Sequence, residues 1–131
     1  MSKSPTYNVE HVYCGNNQLT ELILGDKVEE VYCYDNQLTE LKLGEKVEKV
    51  YSYNNQLTQL ILPENVKEVS CSHNQLKDLI LPEKVEYLYC YKNNLTELKL
   101  PENVVYVSCD AKVQNLKNYL NKNIHIKIYY E

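Results

Sequence analysis

The chain of 131 residues has the length of one domain, and its formal net charge is −4. It contains 13 tyrosines but no phenylalanine, tryptophan or arginine, so that all 14 basic residues are lysines. The negative net charge and the lack of arginine argue against a nucleic-acid partner, because phosphate binding requires a concentrated positive face.

The N-terminal residues and the cysteines indicate where in the cell the protein is located. No apolar run follows Lys3, so we predict no signal peptide, and no apolar stretch approaches the ~18 residues of a transmembrane helix. Five cysteines without a short pairing motif favour free thiols in a reducing environment. We therefore expect a cytoplasmic protein without a membrane partner, acting in a host cytoplasm if it is a viral or effector protein.

After a thin predicted cap at residues 1–8, the sequence repeats every 19 residues. Residues 9–103 form five repeats, and residues 104–131 form a sixth, partial one. Each repeat starts with valine, continues with a second aliphatic residue, cysteine or serine, and asparagine, and ends in Leu-x-Leu followed by glycine or proline. The opening valines are Val9, Val28, Val47, Val66, Val85 and Val104.

The second repeat illustrates the structure predicted for each unit. Val31 and Cys33 alternate with Glu30 and Tyr32, a period of two that is typical of a strand with one buried face. Successive units are expected to place these strands side by side in a parallel sheet. Asn36 follows the strand, where its side chain is expected to bond buried backbone groups of adjacent turns.

The sixth repeat departs from this pattern after Cys109. Asp110 is a candidate helix N-cap, and apolar residues near helical spacing predict a helix that ends near Asn121–Asn123. The alternating residues 124–129 then predict a final strand, parallel to the others and reached by a right-handed crossover. A helix and strand of this kind would cap the open end of the core.

Written as one pattern, the repeats read L-x-x-L-x-C-x-x-N-x-L, with valine often replacing the first two leucines. This pattern resembles the leucine-rich-repeat family over residues 9–110, and most closely the short units of bacterial and large-DNA-virus members. The resemblance implies an α/β-type repeat solenoid, mostly β and right-handed, with a concave parallel sheet and an extended or turn-rich convex side. It also implies an interaction scaffold.

The inward cysteine column is interpreted as core, because free cysteine is among the most buried residue types. A straight column does not converge on a tetrahedral metal site, so we expect no metal and no other cofactor. Ser52 interrupts the column, and its hydroxyl would need a partner or a buried water.

The outward positions of the strands are the candidate binding site, because nine of the 13 tyrosines fall on this one face. Tyrosine gives rigid, amphipathic contact area. The alternative is that the rings stack on one another and stabilise only the sheet. The predicted site residues are Tyr13, Tyr32, Tyr34, Tyr51, Tyr53, Ser70, Ser72, His73, Tyr87, Tyr89, Tyr91 and Tyr106.

Within this face, Ser70, Ser72 and His73 of repeat four replace larger neighbours and predict a notch with aromatic walls. A serine–histidine pair without an orienting carboxylate is weak evidence for catalysis, so we do not expect an enzyme. The sequence favours a non-catalytic module that binds a protein or peptide of unknown identity. A self-assembling protein, for example a homodimer through the N-terminal edge, and a small-ligand or glycan site at the notch remain alternatives.

Overall fold

The computed structural model describes residues 9–119 and 122–130, so the predicted N-terminal cap at residues 1–8 lies outside the described residues. The described chain is mostly β and winds into a solenoid of about six turns whose parallel strands stack on one another. No helix in this part of the chain is long and apolar enough to cross a membrane.

In residues 9–119 and 122–130, nine short strands form two sheets. In chain order the strands are β1 (His11–Tyr13), β2 (Glu21–Ile23), β3 (Glu30–Tyr32), β4 (Glu40–Lys42), β5 (Lys49–Tyr51), β6 (Glu68–Ser70), β7 (Tyr87–Tyr89), β8 (Tyr106–Asp110) and β9 (His125–Tyr129). The main sheet has seven strands in the order β1-β3-β5-β6-β7-β8-β9, and every pair in it is parallel. Strands β2 and β4 form a second, two-stranded parallel sheet.

The register of the main sheet follows the 19-residue period through all seven strands. Val31 of β3 lies opposite Val12 on one side and Val50 on the other, so equivalent residues of successive repeats become neighbours. Val31, Val50 and Cys33 have no exposed surface. The inward faces of the repeats therefore form one continuous apolar core, as the alternation predicted.

The cysteine column belongs to this core, and all five cysteines are free thiols. Cys33, Cys71, Cys90 and Cys109 are completely buried, whereas Cys14 in the first turn is partly exposed. Ser52 is also completely buried, and its hydroxyl finds no hydrogen-bond partner among the described residues. Of the two partners expected for this hydroxyl, a protein group and a buried water, the described residues do not supply the first.

A ladder of asparagine side chains joins the turns behind the main sheet. The Nδ2 of Asn55 donates to the carbonyl oxygens of Cys33, at 3.1 Å, and of Ser52, at 3.0 Å. Its Oδ1 accepts the backbone N–H of Leu38 at 2.9 Å. Equivalent bonds are made by Asn36, Asn74 and Asn93. The predicted role of the asparagines is confirmed.

The residue before each asparagine has a left-handed backbone conformation, which turns the chain out of the strand. The φ angles are 58° at Asn16, 53° at Asp35, 56° at Asn54, 55° at His73 and 59° at Lys92. Asparagine and aspartate tolerate this region better than other non-glycine residues. His73 and Lys92 are therefore the less suitable residues at this position of the repeat.

The opposite side of the solenoid is extended and turn-rich, with regular strands only at β2 and β4. At the end of the second repeat the chain packs closely on the first. A Cβ atom on Gly44 would lie 2.6 Å from the carbonyl oxygen of Gly25, so this position requires glycine.

The C-terminal part differs from the prediction at Asp110. This residue ends β8 instead of capping a helix, and its carboxylate accepts the backbone N–H groups of Lys92, at 2.8 Å, and Asn93, at 3.1 Å. The helix is a short 3-10 helix over Gln114–Tyr119, and residues 120 and 121 lie outside the described range. The final strand is present as predicted, because β9 pairs with β8 in parallel.

Side chains of the 3-10 helix bond the backbone of the fifth repeat. Asn115 accepts the N–H of Leu98 at 2.9 Å and donates to the carbonyl oxygen of the same residue at 2.7 Å. The Tyr119 hydroxyl accepts the N–H of Leu100 at 3.0 Å. Side chains thus replace the backbone partners that another repeat would supply.

Candidate functional site

The outward side chains of the seven-stranded sheet form the surface that we call the tyrosine face. It includes the predicted tyrosines and, from β9, the outward residues His125, Lys127 and Tyr129. These three residues are not among the predicted site residues, although the alternation in residues 124–129 contains the signal. Their positions opposite Tyr106, Ser108 and Asp110 extend the face by one strand.

Three tyrosines at equivalent positions form a continuous stack across β1, β3 and β5. The ring centroids of Tyr13 and Tyr32 are 4.6 Å apart with planes 11° from parallel, and those of Tyr32 and Tyr51 are 4.7 Å apart at 5°. These separations match the ~4.8 Å between strands, so each ring stands directly over its own strand. Tyr13 is 69% exposed, because it ends the stack.

A second stack lies just beyond the ends of the same strands. The rings of Tyr34 and Tyr53 are 4.9 Å apart and 4° from parallel. On its other side Tyr34 covers Gly15, where a Cβ atom would approach the ring to 2.7 Å. Gly15 therefore provides the space for the ring that begins this stack.

At the other end of the sheet the rings are less regular. Tyr89 and Tyr106 are 5.1 Å apart and tilted by 38°, whereas Tyr106 stacks on His125 at 5.3 Å and 14°. Tyr91 stacks on Tyr129 at 4.1 Å across the strand that carries Asp110. Asp110 is only 3% exposed, so this position of the outward pattern is not part of the accessible surface.

Carboxylates accompany the first tyrosine stack. The Tyr32 hydroxyl donates to Oε1 of Glu30 at 2.6 Å, and Oε2 of Glu30 lies 3.3 Å from Nε2 of His11. The hydrogen bond to Glu30, followed by burial, raises the pKa of Tyr32 to about 12. The phenol is therefore a neutral donor over the whole physiological range.

Burial also raises the pKa of Tyr51, Tyr53 and Tyr89. For Tyr51 and Tyr89 the negative charge of Glu68 adds to this effect. Glu68 lies on the outward side of β6, in register between Lys49 and Tyr87. Its carboxylate is thus close to two tyrosines of neighbouring strands.

The three residues of the predicted notch lie in different environments. Ser70 is partly exposed between Tyr51 and Tyr89, whereas Ser72 is only 3% exposed. His73 is exposed at the turn, with its ring edge-on to Tyr91 at a centroid distance of 5.4 Å. The accessible part of the notch is therefore the space above Ser70.

Residues 9–119 and 122–130 contain no group of three or more histidine, cysteine, aspartate or glutamate side chains that could hold a metal ion. No protein-family model matches the chain, and neither the curated proteins nor the solved structures contain a significant match to it.

Proposed function

We propose that the protein is a non-catalytic module that binds a protein or peptide through the tyrosine face. We further propose that the solenoid is a right-handed leucine-rich-repeat type, in which this face is concave and the C-terminal helix and strand cap the core. The support for this type is the repeat pattern in the sequence together with the asparagine ladder, which uses one residue in each of repeats two to five to hold the turns.

The observation that carries the proposed function is the position of the tyrosines relative to the core. Tyr32 and Tyr51 occupy outward positions beside Val31 and Val50, which are completely buried, so burial of the core does not require aromatic side chains there. Stacking fixes the rings and lowers the entropy that a partner would have to offset on binding. The stacks thus support both the sheet and a preorganised contact surface.

The test compares two triple variants. Tyr32, Tyr51 and Tyr89 are changed together to serine, and the matched control changes the exposed Ile23, Ile61 and Ile80 on the opposite side to serine. Affinity capture from the native cell with the unmodified chain identifies partners, and each partner is then measured with both variants. We expect the tyrosine variant to lose binding and the isoleucine variant to keep it. Equal binding by both folded variants would contradict the proposal.

Self-association is a second candidate function, favoured by the first turn of the solenoid. Val9 is 40% exposed, and Val12 and Cys14 are partly exposed, whereas the equivalent Val31 and Cys33 are completely buried. Within the described residues, β1 pairs only with β3 and ends the sheet. An apolar end with an unpaired strand edge is a surface on which a second copy can pair.

Sedimentation over a range of concentrations tests this second function. A dimer should form as concentration rises, and Val12→Lys, which places a charge in the first turn, should weaken it. His11→Lys, on the outward side of the same strand, is the matched control and should leave the dimer intact. A monomer at every concentration would count against self-association.

A further inference from the structure

The tyrosine stack is interrupted at one place, where Ser70 stands in the row of Tyr51 and Tyr89. Ser70 pairs in register with Tyr51 on one side and with Tyr89 on the other. Tyr51 stacks on Tyr32 and Tyr89 contacts Tyr106, so each ring has its aromatic partner on the side away from the serine. We call this space, with Glu68 at its border, the repeat-four slot.

The width of the slot suits a flat group. Tyr51 and Tyr89 stand two strands apart, which corresponds to about 9.6 Å at ~4.8 Å per strand. A flat group above Ser70 stands one strand from each of the two tyrosines, and an aromatic face attracts a cation out to about 6 Å from its centroid. Ser70, Tyr51 and Tyr89 are all partly exposed, so the slot is open to solvent.

The charge at the slot is negative. Glu68 stands on the outward side two residues before Ser70. Burial, followed by a hydrogen bond to Glu68 and by its charge, raises the pKa of Tyr51. After burial and the neighbouring Tyr106, the charge of Glu68 also contributes to the raised pKa of Tyr89. Glu30, at the equivalent position two strands earlier, is paired with His11. In the described part of the chain no lysine or histidine forms such a pair with Glu68.

We propose that the repeat-four slot binds the guanidinium group of an arginine in an extended peptide of the partner. This inference rests on the proposed function and names the chemistry that the partner must present. A guanidinium is planar, stacks on aromatic faces and forms two parallel hydrogen bonds to a carboxylate, whereas lysine presents only a compact charge. The chain itself contains no arginine, so the occupant is a different protein and not a second copy.

A blocked Gly-Arg-Gly tripeptide and the same peptide with citrulline test the slot directly. Citrulline keeps the shape of arginine but is uncharged. NMR titration of the complete chain should show the ring resonances of Tyr51 and Tyr89 shifting with the arginine peptide, and binding at least about tenfold weaker with citrulline. Equal binding of the two peptides, or shifts confined to other residues, would overturn the proposal. Preferential binding of a neutral sugar at the same rings would also overturn it.

Two variants sharpen the test. Ser70→Tyr continues the tyrosine row and should abolish binding of the arginine peptide, whereas Glu68→Gln should weaken it about tenfold. Glu97→Gln, on the opposite side of the solenoid, is the matched control and should have no effect. Unchanged binding to folded Ser70→Tyr would overturn the proposal even if the peptide binds the wild-type chain.

The outcomes also separate this inference from the proposed function. If captured partners depend on Tyr32, Tyr51 and Tyr89 but bind equally well to Ser70→Tyr, the face is the binding site and the arginine slot is wrong. If the arginine peptide binds in the slot but no captured partner depends on the face, the slot is correct and the proposed function fails.

Discussion

The Nδ2 atom of Asn55 lies 3.1 Å from the carbonyl oxygen of Cys33, 22 residues earlier in the chain. The same amide bonds the carbonyl of Ser52 at 3.0 Å in its own repeat, and its oxygen accepts the N–H of Leu38 at 2.9 Å. One side chain thus joins two successive turns at backbone groups that have been removed from water.

Asn55→Ala should therefore destabilise the protein by about 1–3 kcal/mol, because buried backbone groups lose their partners. Asn17→Ala is the matched control. Asn17 bonds Cys14 and Gly15 of its own repeat and is exposed, so water can replace those bonds at smaller cost. Urea unfolding of both variants gives the comparison. Equal losses of stability in the two variants would contradict the claim that the asparagine ladder links successive turns.

Ser52→Cys should stabilise the protein by about 1–3 kcal/mol. The hydroxyl of Ser52 is buried without a partner among the described residues, whereas its neighbours in the column, Cys33 and Cys71, carry a less polar thiol. Ser70→Cys, at a partly exposed outward position, should change the free energy of unfolding little. A lower midpoint of thermal unfolding for Ser52→Cys would mean that the column has no room for sulfur.

Lys92→Asn should increase stability by up to about 1 kcal/mol, because φ is 59° at this position and asparagine tolerates the left-handed region better than lysine. Lys99→Asn is the control. Lys99 is exposed and its φ is not positive, so this variant should not gain stability. A gain of equal size in the control would show that the effect is not conformational.

The stability of the fold should fall in alkaline solution. Burial raises the pKa of Cys33 and Cys71 to about 12 from an ordinary value of 9.0, and hydrogen bonding to Glu30 raises that of Tyr32 to about 12 from 10.0. The folded state therefore holds these protons more tightly than the unfolded state. This contribution is fully present below about pH 9 and is lost as the pH rises through 9 to 12.

Urea unfolding at a series of pH values measures this dependence, and Tyr32→Phe identifies the share of one group. The phenylalanine keeps a ring in the stack but has no proton to lose, so the decline above pH 10 should become shallower. Stability that stays constant from pH 9 to 12 in the wild-type chain would contradict the burial of these thiols.

The period of the sequence predicts most of the fold, because each repeat uses the same few residues for the same contacts. The parallel sheet, the buried cysteines and the asparagine ladder all follow from positions such as Val31, Cys33 and Asn36. Asp110 could not be predicted in the same way. Residue 112 is lysine where earlier repeats carry asparagine, and only the folded backbone shows that Asp110 instead bonds Lys92 and Asn93.

The candidate site was predictable at the level of the face but not of its details. The alternation places Ser72 outward, yet the strand of repeat four ends at Ser70, and Ser72 is buried where the chain begins to turn. The direction in which each ring leans depends on its neighbours. The stack of Tyr91 on Tyr129 joins equivalent positions two repeats apart, and it forms only because the buried Asp110 stands between them in place of a third ring.

The most direct test of the account is partner binding measured beside thermal unfolding for one protein, the variant with Tyr32, Tyr51 and Tyr89 changed to serine. The account predicts a cooperative, folded protein, somewhat less stable than wild type because ring stacking is lost, that no longer binds the captured partner. A folded variant that binds the partner with unchanged affinity would show that the tyrosine face is only a stacking ladder.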